Sequence, residues 1–518
     1  MASNIADLFE AVAETAGGRT AVVGGGDRLT YAELDARAER LARALAARGV
    51  VEGSTVAVAL RNRPDHLTAY LAAFKRRAVP VNVNLHYVTD ELRRLYAAIR
   101  PTVAFVEPDR VAVTAAALAS GVPTIVAGEG IELAVEQGDG PAEPVTRSGD
   151  DRFVIYTGGT TGGPKGVEWR HADLIVAALG CRRPDGGPFD TADAVAAVAA
   201  RAPRTLVASP LMHGTALWTA LANLVTGGTV FLDASTFDPN RVWRIVDRER
   251  ITRLAIVGDA FGLPLVDTLE ANRGRWSVDS LLVVSNGGAP LSRSVREALI
   301  RLIPGVVVVD GYGTSETGGH GRWVDSAGSC RHPGAAPRFV MNADTAVLDE
   351  DLRPVVAGSG SIGRVARRGA VPVGYRDEPE ASARTFPVVD GVRWALTGDL
   401  ASVERDGTVT LLGRSERVIN TGGEKVFADE IELVLRTHPS IADAIVVGEP
   451  DDRFGRQVVA VVEVQPGCSL GADELVSWCR GNVARFKVPR RVVFVDRAPR
   501  TPAGKPDPRS AAALLDDD

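Results

Sequence analysis

Apolar residues recur every three to four positions from Ile5 to Ala16 and from Tyr31 to Arg48, the spacing that gives a helix one buried face. Gly49 is a fitting stop for the second helix, because glycine takes left-handed backbone at a helix end without a Cβ penalty. Other apolar runs are short: Thr55–Leu60, Thr102–Val106, Pro123–Val126, Leu254–Val257, Leu281–Val284 and Val306–Val309. Runs of that length read as buried strands. Interleaved with helical patterns, they predict an α/β fold of layered, mostly parallel sheets. Arg182 to Asp193, rich in Gly, Pro and Asp, predicts a loop.

Near the C-terminus the pattern changes. Gly407–Leu412 reads as a strand, Asp429–Arg436 as a helix, and Ala444–Gly448 and Val458–Val464 as strands. A boundary is expected at Gly413-Arg414-Ser415-Glu416, separating residues 1–413 from 414–518, and the second part suffices for a small α+β domain. A chain of 518 residues exceeds what one core normally serves.

Composition narrows the function classes. A hydrophobic content of 45% with 24% charged residues is an ordinary globular balance. Net charge is −6 without a long basic run, which argues against a nucleic-acid partner. No apolar stretch approaches the ~18 residues of a membrane span. The N-terminus lacks basic and apolar signal regions, so the expected location is cytoplasmic. Cys181, Cys330, Cys468 and Cys479 are scattered and form no C-x-x-C pair, which favours idle thiols over disulfides or a metal site.

Chemistry concentrates in Tyr156-Thr-Gly-Gly-Thr-Thr-Gly-Gly-Pro-Lys165-Gly166. Glycines let backbone N–H groups close around an anion, threonines add hydroxyl donors and lysine adds a mobile point charge. Such a loop suits a polyphosphate, although Gly/Thr/Pro runs also form plain surface loops. It is not a Walker A loop, because Pro164 replaces the last glycine and Gly166 follows the lysine in place of Ser or Thr.

The stretch resembles the phosphate loop of the acyl-adenylate-forming superfamily: acyl-CoA synthetases, peptide-synthetase adenylation domains and luciferases. Further similar motifs follow in order: Ser209-Pro-Leu-Met-His213-Gly, Asn286-Gly-Gly-Ala-Pro290, and Gly311-Tyr312-Gly-Thr-Ser315-Glu316-Thr. Then come Thr397-Gly-Asp399-Leu, Gly413-Arg414, Asn420-Thr-Gly-Gly-Glu424-Lys and Pro502-Ala-Gly-Lys505-Pro. Leu29-Thr-Tyr31-Ala-Glu-Leu is similar to the family's N-terminal signature. The resemblance covers nearly the whole chain and is strongest to bacterial acyl-CoA synthetases. It implies a large N-terminal domain of layered α/β sheets with a β-rich subdomain, and a small mobile α+β C-terminal domain.

The same resemblance assigns expected roles. Catalysis falls to Lys505, whose ammonium would stand where carboxylate meets α-phosphate, with Glu316 and His213 in support. ATP phosphates would be held by Thr157, Thr160, Thr161, Gly162, Lys165 and Ser315, the last standing where relatives usually have Thr. Glu316 and Thr157 are the expected Mg²⁺ ligands, since oxygen donors with phosphates and waters suit magnesium. The adenine would lie against Gly288, Ala289, Pro290 and Tyr312, next to Asp310 and Gly311, with Asp399 on the ribose and Arg414 supporting it. The pantetheine of CoA would pass Gly422 and Gly423, and Glu416 would be the hinge, where relatives more often carry Asp or Lys.

The acyl pocket is expected near His213, Trp218, Val257–Gly262, Ser285–Gly288 and Gly313–Gly319, with Met212, Trp218 and Phe261 as wall residues. Asn84-Leu85-His86-Tyr87 departs from the aromatic–Arg pair that related synthetases often show, which puts in doubt a substrate copied from a near relative on sequence alone. The expected partner is a small carboxylic acid or other oxyanion, and a homodimer is left open. Three functions are compatible: an acyl-CoA ligase; an adenylating enzyme that loads a carrier protein or activates nitrite for diazotisation; and a non-catalytic nucleotide-binding protein. The joint presence of Lys165, Glu316, Asp399, Arg414 and Lys505 favours an enzyme.

Overall fold

The computed structural model describes the chain apart from residues 1–2, 139–144, 158–164, 184, 186, 188, 200–201, 328–337, 422–423, 452, 502–505 and 516–518. Thr160, Thr161, Gly162, Gly422, Gly423, Lys505 and Cys330 therefore lie outside the described residues.

The first helix runs from Ile5 to Ala16, as the apolar spacing predicts. Asn4 caps it, its side chain accepting the Ala6 N–H, and Ile5, Leu8, Phe9 and Val12 form its buried face. The Leu29–Leu34 signature is the start of the second helix, Tyr31–Ala47. Thr30 and Glu33 cap each other's backbone N–H groups there, and the buried Tyr31 hydroxyl donates to Gly228 O at 2.7 Å. Gly49 follows with φ +82°, the left-handed stop expected of it.

The chain divides into two compact units. One comprises Met1–Gly288, Leu299–Cys330 and Arg367–Leu396. It carries the parallel series Val307–Thr314, Val283–Gly287, Arg253–Ile256, Arg204–Val207, Thr229–Phe231 and Thr20–Gly24, neighbours in that order. Asp27–Thr30 and Gly318–Asp325 add antiparallel strands at its two sides. A second sheet orders Gly374–Tyr375, Lys165–Arg170, Arg152–Thr157, Val79–Asn82, Thr55–Ala59, Val103–Val106 and Thr124–Val126. One apolar core joins both sheets through Val56, Phe105, Phe153, Trp169, Val207 and Leu221. The other face of the second sheet is covered by Leu92, Leu95 and Tyr96 of the helix Thr89–Ile99.

The other unit comprises Ala289–Ala298, Arg331–Ala366 and Thr397–Asp518. It holds residues 399–403 paired antiparallel with Val409–Arg414, the hairpin Val418–Thr421/Glu424–Phe427, and a sheet of Ile441–Asp451, Gly455–Val464 and Arg491–Val495. Ile419, Val426, Ile431, Leu435, Val446, Val458 and Cys479 make a separate small core.

The predicted strands are present with ends displaced by a few residues. The Arg182–Asp193 loop is shorter than its composition suggests, because Asp190 and Asp193 form a reciprocal cap that starts a helix at Thr191. Among the described residues, no helix is long and apolar enough to cross a membrane.

Candidate active site

The phosphate-loop candidate leaves one strand and enters the next. Thr157 closes Arg152–Thr157, Lys165 opens Lys165–Arg170, and the two are paired across an antiparallel ladder. Both ends of the loop are thus anchored. A Cβ on Gly166 would meet the Tyr156 ring at 2.7 Å, so glycine after the lysine is required by the aromatic ring over it. That packing explains why Gly166 stands where a Walker A loop has Ser or Thr.

Tyr375 ties this region together, and the sequence reading did not single it out. Its backbone pairs with Val167, its hydroxyl donates to Glu316 Oε1 at 3.1 Å, and Lys165 Nζ lies 5.2 Å from its ring centroid. The indole of Trp169 donates to the carbonyl of Ser315 at 3.0 Å, anchoring the same turn. Tyr375 thus links the expected metal carboxylate to the expected phosphate lysine. Among the described residues no group of three or more His, Cys, Asp or Glu side chains is placed to hold a metal. Glu316 and Thr157 offer oxygen atoms only, a partial shell that fits Mg²⁺ completed by phosphates and water.

At the ends of the parallel strands, Asn286 fixes two neighbours. Its Oδ1 accepts the Gly258 N–H at 2.6 Å, and its Nδ2 donates to Asp310 at 2.8 Å. The expected adenine strand and the start of the Val257–Gly262 stretch are therefore held in register. Tyr312 stacks on His320 with centroids 5.1 Å apart. Burial, with Arg367 nearby, pushes His320 down to about 3, so this partner is a neutral ring. Gly288 belongs to the first unit, while Ala289 and Pro290 are assigned to the second.

His213 caps the helix Gly214–Leu224 from an extended conformation, without a side-chain cap bond. Met212 is buried and receives the Leu85 N–H at its sulfur, and Trp218 is buried, its indole nitrogen meeting no acceptor among the described residues. Phe261 is half-buried and packs on Phe237 with centroids 4.6 Å apart. Two buried asparagines hold the Ser209–Gly214 segment, and neither stood out in the sequence. Asn62 donates to Ser209 O at 2.9 Å and accepts from Leu211 N at 2.8 Å; Asn82 donates to Met212 O at 2.8 Å.

In the second unit Asp399 and Arg414 are strand partners, with Nε to Oδ1 at 3.3 Å. The Thr397 hydroxyl accepts the Asp399 N–H and donates to Val365 O at 2.8 Å, which is why this strand carries threonine there. Asp429 spans the expected hinge. It accepts the Arg414 N–H at 3.3 Å, pairs with the Arg417 guanidinium, and packs over Gly413, whose φ of +109° suits glycine. Cys181 is buried and its thiol is pushed up to about 12, an idle thiol.

The chain is similar to known proteins over nearly its whole length. The description "AMP-binding enzyme" matches residues 9–373, and "AMP-binding enzyme C-terminal domain" matches residues 430–505. A medium/long-chain-fatty-acid–CoA/3-oxocholest-4-en-26-oate–CoA ligase of Mycobacterium tuberculosis is 40% identical, over 99% of this chain and 96% of its own. A 3-oxocholest-4-en-26-oate–CoA ligase of Rhodococcus rhodochrous is 38% identical, over 99% and 96%. The ATP-bound MatB structure from Rhodopseudomonas palustris matches with TM-score 0.83 at 26% identity, over 100% of this chain and 99% of its own.

The chain belongs to the AMP-binding enzyme family. It is an acyl-CoA synthetase of the acyl-adenylate-forming superfamily, a ligase that uses ATP, Mg²⁺ and CoA.

Proposed function

We propose that the acid activated by this enzyme is an extended apolar carboxylate, a medium- or long-chain fatty acid or the side-chain acid of a steroid. The observation that carries this reading is the relative of 40% identity over 99% of the chain, which is named for those acids. The buried Met212 and Trp218 beside the His213 turn support it, since apolar walls suit an apolar tail.

In this reading a carboxylate oxygen attacks the α-phosphorus, the bond to the bridging oxygen breaks, and pyrophosphate leaves. The CoA thiolate then attacks the acyl carbon and AMP leaves. Lys505 stands between the two anions of the first step, and His213 orients the carboxylate. Thr157, Thr160, Thr161, Gly162, Lys165 and Ser315 bind the phosphates. Tyr312, with Gly288, Ala289, Pro290, Asp310 and Gly311, receives the adenine, and Asp399 with Arg414 holds the ribose. Glu316 and Thr157 hold magnesium, which when bound draws charge from the phosphate oxygens. A rotation at Glu416 of residues 414–518 against 1–413 brings Gly422 and Gly423 to the pantetheine for the second step.

ATP and CoA supply place the enzyme in the cytoplasm, and light scattering tests a homodimer. Pyrophosphate and AMP release over a panel of fatty, aromatic and steroid-side-chain acids, with and without CoA, tests the substrate. Preference for a short or aromatic acid would overturn the assignment.

A further inference from the structure

We propose that Asn82 is a positioning residue that holds the two reactants of adenylation in one frame, an inference that rests on the functional reading above. Asn82 ends the strand Val79–Asn82, and its side chain is buried. Its Oδ1 accepts the Tyr156 N–H at 2.8 Å, and its Nδ2 donates to Tyr156 O at 3.0 Å and to Met212 O at 2.8 Å. Tyr156 directly precedes Thr157 at the mouth of the phosphate loop, and Met212 directly precedes His213. One amide group therefore stands one residue away from both elements, the one that takes ATP and the one that takes the carboxylate.

The backbone leaves this task to a side chain. The ladder between Val79–Asn82 and Arg152–Thr157 has Val81 opposite Val154, and the next N–H, that of Val83, goes to Val58 O at 3.0 Å. The strand turns away before it can pair with Tyr156, and the Asn82 amide takes its place. On its other side Tyr156 pairs with Gly166. A primary amide carries two donors and an acceptor in one plane, and here both donors are used. Aspartate would keep only the acceptor and would place negative charge beside a phosphate site; leucine would leave the Tyr156 N–H and both carbonyls without this partner.

Reactants must meet at near-contact distance, and a misplacement of about 1 Å costs about 100-fold in rate. Once carboxylate and phosphate are joined in one molecule, their alignment no longer depends on this frame. Loss of the Asn82 bonds should therefore damage the first half-reaction and spare the second.

The test measures both half-reactions in Asn82→Ala and Asn82→Asp: single-turnover pyrophosphate release with dodecanoate, and CoA thioester formation from synthetic dodecanoyl-AMP. For Asn82→Ala the expected result is an adenylation kcat lower by about 100-fold, with KM for ATP and dodecanoate each within about threefold of the parent. Thioester formation should fall by less than about tenfold. For Asn82→Asp adenylation should recover relative to the parent as pH is lowered, because the protonated carboxyl regains a donor. Adenylation at the parent rate overturns the proposal. Loss of both half-reactions together, with or without loss of the parent's circular dichroism, assigns Asn82 to the fold alone and also overturns it. If the parent adenylates no fatty acid at all, the functional reading fails first, before any variant is compared.

Discussion

The Glu316 carboxylate accepts the Tyr375 hydroxyl at one oxygen, which fixes the orientation of the group. A ligand held this way loses less freedom when a cation arrives. Tyr375→Phe keeps the ring beneath Lys165 and removes only this bond. It should raise the Mg²⁺ concentration for half-maximal pyrophosphate release by about fivefold, the loss of about 1 kcal/mol from one hydrogen bond. Magnesium dependence equal to the parent would show that the bond does not orient Glu316. Lys505 is the other decisive residue. Lys505→Ala should lower acyl-AMP formation by about 100-fold or more, as expected for a term of ~3 kcal/mol. ATP binding, and thioester formation from synthetic acyl-AMP, should be retained. Adenylation at the parent rate would remove Lys505 from the mechanism. Lys165, Glu316 and Asp399 stood out in the sequence as candidates because each sits within a short string of glycines and hydroxyls. Asn82 and Tyr375 did not: their partners lie 74, 130 and 59 positions away, and no local pattern announces such bonds.

Among the elements, the helices were legible where a periodic apolar face coincides with a cap, as in Ile5–Ala16 and Tyr31–Ala47. Strand ends were less so, because a strand stops where its neighbour stops; Val306–Val309 was expected, whereas Val307–Thr314 extends along Gly318–Asp325. The short helical turn Ser415–Arg417 was hidden in a motif read for its arginine. That turn carries the proposed hinge. Glu416→Pro fixes one φ and removes one donor, so it should retain adenylate formation and lose thioester formation. Single-turnover assays of each half-reaction decide the matter; unimpaired thioester formation would remove Glu416 as the pivot. The Asp429 carboxylate binds both Arg414 and Arg417, one on each side of that pivot, so any rotation there must first release at least one of them.

For the molecule as a whole, burial keeps His66, His171 and His320 neutral. Burial pushes His66 and His171 down to about 4 and His320 to about 3. His171 Nδ1 accepts the Ile5 N–H at 3.3 Å, so protonation there would break a bond as well as bury a charge. The unfolded chain takes up these protons near pH 6.5, and the folded chain does so only below about 4. Above pH 6.5 neither state binds them and stability is unaffected. Between pH 6.5 and about 4 the unfolded state binds more protons, so stability is lost as pH drops, by about 1.4 kcal/mol per unit for each histidine. Urea midpoints at pH 7.5, 6 and 5 should fall accordingly, and a midpoint flat across that range would contradict the neutral assignments. The α/β class was legible from alternating patterns, but the order of strands was not, since pairing across long separations leaves no trace in a local window.

One such pairing governs how the protein is made. The strand Thr20–Gly24 lies beside Thr229–Phe231, and the Tyr31 hydroxyl rests on Gly228. During translation the strand Thr20–Gly24 has no parallel neighbour until residue 231 has left the ribosome. At about 5–20 residues per second that wait is about 10–40 s. The strands between Thr55 and Val106 pair with one another and need no such delay. Throughout that interval the apolar side of the first helix, with Leu8 and Phe9, lacks its final cover. Yield in a host cell should therefore depend on translation speed over residues 30–231 and on whatever shields the nascent chain, as much as on the stability of the finished enzyme.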